Sequence, residues 1–595
     1  MNIYIVKSIP KDNPVYYNDY GFQKQVVHSK SRHINVRQFI HERQQEILDD
    51  FEKWHQALTT TALKSFGEEW WLLNESRIIA FYPQILDPMI YSVALTRLCS
   101  EKNIEQIFII NITNDVAVYL SELGHNLIDQ DGILDIQNRE QELCLKKNRN
   151  IIRNFILIFR HLAAVIRVKI KCLGQKKYNY LSHSPEQDLD LVFSQVSFNS
   201  NSNDLRDHYF GKITRNFILG KDNPILWILR SGGASKKAIF NHIKKLECEG
   251  HLGVILENEL SIIDLITSAF KGLSFVTKVK NQIHSFPPLD ILGVSSKHFV
   301  KIFFSFEPNL DGFLTLSYTK RLFKEINIRR IIYPYEEKIQ ERAILINSEK
   351  MNTKKIISIG YQHASTNRAH SYLNYRNSES QSPKPNKIYT TGEPQRDVLC
   401  SHWNWPEEKV DILGSFRFHN IKNYIRDRDA RQKNLRLLLI IGNGHELINF
   451  EKLIQNNYEV FENCELMIRP YPYSWVDQQK VALLKITKDF PELKVSQQSF
   501  EEAVEWSDYT LSCSTSSGIE SILLGRINTY ICLNNYIIQD PYIDKFDENF
   551  IFRINSVDDL QGFINFSKQL SLEKYNMVLK SQIDNAKKIY SDPLK

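Results

Sequence analysis

At 595 residues, with 42% hydrophobic and 24% charged side chains, the chain has the composition of a folded protein and is too long for one core. Its net charge of +6 is small for that length and is not gathered in tails, which excludes a dedicated nucleic-acid binder and suits anionic small substrates or an anionic membrane surface. The eight cysteines form no C-x-x-C pair and read as reduced thiols.

Residues 1–10 hold only a short apolar run around Lys7 and read as a first strand, without the order of a signal peptide. Residues 35–66 carry helical spacing, followed by an aromatic knot at Trp70-Trp71-Leu72-Leu73. A helix over 86–101, a strand over 106–110 and a helix over 115–123 then set a βα rhythm, the pattern of a parallel sheet with covering helices.

Between Lys146 and Lys177 the character changes. Apolar residues interleave with Arg153, Arg160, Arg167, Lys169, Lys171, Lys176 and Lys177, and no acid occurs in the stretch. Such a segment suits a basic amphipathic helix on an anionic leaflet, or a packed helix with a basic solvent face. With the polar loop at 197–204, residues 146–215 read as an insertion in the first half.

The rhythm returns with strands at 225–229, 252–256 and 328–333. It continues at 355–360, 387–391, 410–413, 435–441, 464–469, 509–513 and 528–533. The fold class expected is α/β: two doubly wound, Rossmann-like domains facing across a cleft, one over 1–335 and the other over 336–595.

Open parallel sheets bind ligands beyond the carboxyl ends of their strands, so the residues after each strand carry the functional reading. Tyr333-Pro334-Tyr335-Glu336 offers Glu336 as a general base, although acids also gather in helix first turns. Gly360-Tyr361-Gln362-His363 offers His363 as a base, proton donor or phosphate ligand. Arg417, in Gly414-Ser415-Phe416-Arg417, and Arg469, ahead of Pro470-Tyr471-Pro472, are permanent cations that can grip phosphate. Gly442-Asn443-Gly444-His445-Glu446 is a glycine turn, a weak signal. Ser514-Thr515-Ser516-Ser517-Gly518-Ile519-Glu520 opens a helix with hydroxyls that suit phosphate or an ordinary cap, and Glu520 can accept from ribose hydroxyls. No Walker loop and no G-x-S-x-G elbow is present, and the short His/Asp/Glu strings lack supporting ligands, so neither metal nor cofactor is expected.

Taken in this order, these motifs resemble the GT-B glycosyltransferases of bacterial surface carbohydrate biosynthesis, the capsule and lipopolysaccharide enzymes, over about 190 residues. The resemblance implies a metal-independent enzyme that moves a sugar from a CMP- or other NDP-linked donor to a surface polysaccharide or a lipid-linked glycan. It maps the nucleotide clasp onto Arg469-Pro470 or Tyr471-Pro472 and onto Ser516-Ser517. The reading of strand ends adds Arg417, Thr515, Gly518 and Glu520 to the nucleotide contacts and makes Glu336 and His363 the catalytic candidates. This chain departs from the GT-B pattern in lacking histidine in its proline pair. Gln362-His363 is also similar to the Gln-His-Gly segment of teichoic-acid polyol-phosphate transferases, with Ala364 in place of glycine, which leaves a CDP-polyol donor as an alternative. A noncatalytic scaffold that keeps the fold is the third. No run of 18 uncharged apolar residues occurs, so the expected place is the cytoplasm, on the inner membrane face if the basic stretch binds lipid.

Overall fold

The computed structural model describes residues 2–5, 42–72, 106–110, 126–129, 158–173, 188–196, 225–231, 234–282, 310–350, 356–366, 373–375, 383–418, 434–470, 477–533, 540–542 and 553–593, with a few shorter stretches between. The expected helices over 86–101 and 115–123, the loop at 197–204, and Tyr471 and Pro472 lie almost wholly outside these residues. A small mixed sheet joins Asn2–Ile5, Gln106–Ile110, Asn126–Asp129 and Gly132–Ile133.

The first large sheet has seven parallel strands. In chain order they are β1 (Leu189–Gln195), β2 (Ile225–Arg230), β3 (Leu252–Ile255), β4 (Ile328–Pro334), β5 (Ile357–Gln362), β6 (Lys387–Thr390) and β7 (Val410–Ile412). Their order across the sheet is β7-β6-β5-β4-β1-β2-β3. The chain builds outward from β1 to one edge and then returns to β4 to build the other, so the switch point lies between β1 and β4. Strands such as Leu189–Gln195 and Ile225–Arg230 are buried along nearly their whole length, as covering helices on both faces require.

The second sheet repeats the plan with six strands. These are β8 (Leu435–Ile440), β9 (Cys464–Arg469), β10 (Lys494–Val495), β11 (Tyr509–Ser512), β12 (Ile527–Ile531) and β13 (Arg553–Ile554), ordered β10-β9-β8-β11-β12-β13. Its switch point lies between β8 and β11. Both sheets therefore place a crevice beyond the tips of two neighbouring strands.

Two expectations are corrected. The boundary does not fall at 335/336: β5, β6 and β7 hydrogen-bond into the first sheet, which runs to Ile412, and the second begins at Leu435. The βα rhythm is the same on both sides, so periodicity could not mark the change. Nor is 146–215 an insertion throughout, because β1 within it is a central strand of the first sheet. Its Asp190, in an Asp-Leu-Asp string, is fully buried between Arg329 (2.6 Å) and Arg330 (2.9 Å) and holds β1 to β4.

The two halves are pinned by the C-terminal helix, Leu572–Ile589. In the second domain its Gln582 exchanges hydrogen bonds with the Asn528 backbone at 2.9 Å in both directions. Beyond its end the chain reaches the tips of the first sheet. Thr391 Oγ1 and Gln395 Nε2 both donate to the Ile589 carbonyl at 3.0 Å, Ser591 N donates to Thr391 O, and Ser415 N donates to Ser591 O. Gly414 (φ +89°) sits here, and a Cβ would lie 2.6 Å from the Asp592 carbonyl, so this position needs glycine.

The aromatic knot forms a 3-10 turn, Gly67–Leu72, whose Trp70 and Trp71 are fully buried. The Arg342 guanidinium lies 5.0 Å from the Trp71 ring.

Candidate active site

The tip of β4 is built on a buried frame. Tyr335 N donates to Tyr361 O, which fixes the β4 exit against β5. The Tyr335 hydroxyl donates to Glu337, and Arg342 Nε and Nη2 donate to Glu337 Oε2 at 2.9 and 2.8 Å. Burial raises the Glu337 pKa and Arg342 lowers it; the net effect holds this carboxyl below the usual range. Glu337 also has a φ of +56°, an uncommon backbone state for a residue with a Cβ. Glu341, in the first turn of the following helix, accepts from Glu336 N at 3.0 Å.

Glu336 is half-buried beyond this frame, and four side chains, its own included, gather there. His363 Nε2 lies 3.6 Å from Glu336 Oε1. Lys338 pairs with Glu336, and its Nζ donates to the Tyr209 hydroxyl at 3.3 Å. The Tyr209 ring meets the His363 ring edge-on at 4.8 Å. Burial and the Glu336 charge push Tyr209 up to about 12. Burial opposes the Lys338 charge, yet Glu336 and Tyr209 carry its pKa above the ordinary lysine value. The cluster holds a carboxylate, an imidazole, an ammonium and a phenol within reach of one another, an arrangement that can accept and hold a proton. Sequence singled out Glu336 and His363; it gave no sign of Tyr209 or Lys338.

The second switch point uses different chemistry. Glu446, fully buried, accepts from Gly442 N at 2.7 Å, Asn443 N at 3.0 Å and Ser514 N at 3.0 Å, and from the Ser514 hydroxyl. One carboxylate thus ties the loop after β8 to the loop after β11. Burial raises its pKa, and the Ser514 and backbone donors work against that rise. A Cβ on Gly442 would lie 2.6 Å from the Ser514 carbonyl, so the glycine turn serves this close approach.

With Ser514 held by Glu446, the loop offers Thr515, Ser516, Ser517 and Gly518. Thr515 Oγ1 accepts from Ser517 N at 3.3 Å. Ser516 stands at the N-cap of Ser517–Leu523 but makes no side-chain cap bond, so its hydroxyl is not spent as an ordinary cap. Gly518 is buried, and a Cβ there would run into the Ser512 and Tyr542 hydroxyls, so this position needs glycine.

The two crevices meet. Arg417, after β7, lies 3.6 Å from Glu520, after β11. Tyr590, at the end of the C-terminal helix, is buried. Burial and the Glu520 charge raise its pKa, and Ser516 of the second domain, Arg417 and the Ser365 backbone, two residues past His363, oppose the rise. Phe418 packs on Tyr590 with ring centroids 4.5 Å apart.

Arg469, at the β9 tip, donates from Nη1 to Ser496 Oγ at 3.2 Å and to Gln498 O at 2.9 Å, with Phe500 5.4 Å from its guanidinium. Burial lowers its pKa, with the charges of Glu501 and Glu520 opposing. Burial raises Glu520, with Arg417 opposing most strongly and Arg469 also acting. Arg417 and Arg469 thus both act on Glu520. Pro470 follows Arg469 directly.

Two Rossmann-ordered sheets, joined by a returning C-terminal helix, present their strand tips to one another. The architecture is that of the GT-B fold. Among solved structures the chain is similar to Anabaena HepE, crystallised with UDP and glucose, at 11% identity over 67% of this chain and 95% of that one (TM-score 0.38). It is also similar to an α,α-trehalose-phosphate synthase from Burkholderia vietnamiensis, at 8% identity over 67% and 96% (TM-score 0.35). A UDP-N-acetylglucosamine 2-epimerase gives 9% identity over 68% and 94% (TM-score 0.36). No family model and no curated protein matches the chain. No helix among the described residues is long and apolar enough to cross a membrane.

Proposed function

We propose that the protein is a glycosyltransferase that moves a sugar from a nucleotide-activated donor to a hydroxyl of a surface-glycan or lipid-linked acceptor. The observation that carries this reading is the convergence at the interdomain junction. The first domain contributes a proton-handling cluster at Glu336 and His363, and its Arg417 lies 3.6 Å from Glu520. The second domain contributes the hydroxyl loop at 515–518, Glu520 and the Arg469 cation.

In this reading the second domain holds the nucleotide. Arg469 and the hydroxyls of Thr515, Ser516 and Ser517 take the phosphates, beside Gly518, and Glu520 meets the ribose hydroxyls. Pro470 fixes the backbone directly after Arg469. Arg417 reaches the same pocket from the first domain and couples donor binding to closure.

The acceptor lies against the first domain. Its oxygen forms the new bond to the anomeric carbon as the bond from that carbon to the donor phosphate breaks, and the electron pair departs with the nucleotide. The acceptor's proton passes to the His363–Glu336 pair; the imidazole receives it and the carboxylate stabilises the imidazolium. Lys338 pairs with Glu336. Arg417 and Arg469 stabilise the charge that builds on the leaving phosphate, so the step as derived draws on this chain's own residues.

Thermal-shift measurements with UDP, CMP, UDP- and CMP-sugars and CDP-glycerol test the donor class. A nucleotide sugar raises the melting temperature in this reading. Stabilisation by CDP-glycerol alone moves the assignment to polyol-phosphate transfer. Turnover by a Glu336→Gln, His363→Ala double variant equal to wild type removes the proton-transfer assignment.

A further inference from the structure

The basic stretch of the first half carries a surface that the catalytic reading does not use. Residues 158–171 are helical, and their inward row, Ile158, Leu162 and Val165, enters the core of the first sheet. The helix Ile262–Gln282 sends Leu265, Ala269 and Leu273 into the same core. The helices are neighbours: Lys169, on the first, donates to the Asn258 and Leu260 carbonyls at 2.9 and 2.5 Å, immediately before the second begins.

Each helix also carries an outward apolar row. On the first, Phe159 (67% exposed), Ile166 and Ile170 fall seven and then four residues apart, on one helix face. On the second, Ile262, Ile263 (74%) and Phe270 (70%) do the same at helical spacing. Side chains of this size exposed together mark an interaction surface rather than ordinary scatter. Arg160 and Arg167 are exposed along the first row and Lys271 beside the second, while residues 158–173 contain no acid. Asp264, the acid in the first turn of the second helix, is engaged by Arg321 at 2.6 Å.

We infer that this two-helix face docks on an anionic lipid bilayer, with the apolar rows entering the headgroup boundary and the arginines and lysines meeting lipid phosphates. Charge selects this occupant. A second copy of the chain would bring the same exposed cations face to face, whereas an anionic leaflet complements them and solvates the apolar rows at once. The inference goes beyond the nucleotide chemistry and stands without it. Joined to it, the face would bring the active site to a lipid-linked acceptor at the bilayer surface.

The test is co-sedimentation of the full chain with vesicles of phosphatidylcholine alone and with about 30% phosphatidylglycerol. Binding is expected to the anionic vesicles only and to weaken as salt is raised. Arg160→Glu with Arg167→Glu, and separately Phe159→Ser with Phe270→Ser, should each lower partitioning by about tenfold or more. The melting temperature should hold, because all four side chains are exposed. Equal binding to neutral vesicles, no binding at low salt, or unchanged binding by both variants overturns the inference. So does self-association in analytical ultracentrifugation that the Phe159→Ser, Phe270→Ser variant abolishes without any vesicle binding.

Discussion

The two switch points of this molecule share a strand order and differ in chemistry. Beyond β1 and β4 stand titrating groups, Glu336, His363, Lys338 and Tyr209, on a buried frame of Tyr335, Glu337 and Arg342. Beyond β8 and β11 stand hydroxyls and backbone amides, with one buried carboxylate, Glu446, beneath them. Each crevice thus hides one carboxylate that builds the loop and presents another group for use. The comparison teaches that topology chooses where a site can be, while the residues after each strand choose what it can do.

The sharpest way to break this division is to exchange its readouts. Glu336→Gln with His363→Ala should lower kcat by about 10²–10⁴-fold, the usual contribution of positioned proton transfer, while nucleotide affinity holds. A steady-state assay paired with calorimetry checks both; loss of nucleotide affinity would show that the first crevice also holds the donor.

The hidden carboxylates should behave as structural groups. Glu337→Ala leaves the Arg342 guanidinium buried without its partner and should cost about 3–5 kcal/mol in urea unfolding. Glu446→Ala removes the acceptor for three backbone amides and should cost about 2–4 kcal/mol. Glu336→Ala, at a partly exposed site, should cost under about 1 kcal/mol, and a larger loss would place Glu336 in the frame rather than the crevice.

Arg469→Ala should weaken nucleotide binding by about 1–3 kcal/mol with little change in stability.

The smallest effect expected is in pH dependence. Burial raises Glu446 above its ordinary 4.5, so in the window above that value the folded state holds a proton the unfolded chain has released. Stability from this group is full below the unfolded value and falls as pH rises toward the folded one. Relative to Glu446→Gln, wild type should therefore lose melting temperature as pH rises from about 4.5, and a parallel pair of curves would contradict the raised state.

Much of the fold was legible because parallel strands buried on both faces read as apolar runs between helical periods. Ten of the expected strands lie within two residues of the observed ones in the two large sheets, and the strand at 106–110 is the one observed in the small mixed sheet. β1 was missed because Asp190 breaks its apolar run, and only the tertiary pairing with Arg329 and Arg330 explains a buried acid there. The domain boundary was illegible because the rhythm of strand and helix does not change across it. At the site, Glu336, His363, Arg417, Arg469 and Ser516 could be found by reading strand ends. Glu446 was visible only as part of a common glycine turn, since its four donors lie in two loops, at Gly442-Asn443 and at Ser514, that are far apart in the chain. Tyr209 and Tyr590 reach the site through packing alone, which no local pattern encodes.

Isothermal titration of the donor nucleotide into wild type, Glu336→Gln and Arg469→Ala tests the division most directly. Equal affinity for the first two proteins and a loss of about 5- to 150-fold for the third is the expected result. Undiminished binding by Arg469→Ala, or loss confined to Glu336→Gln, would contradict it.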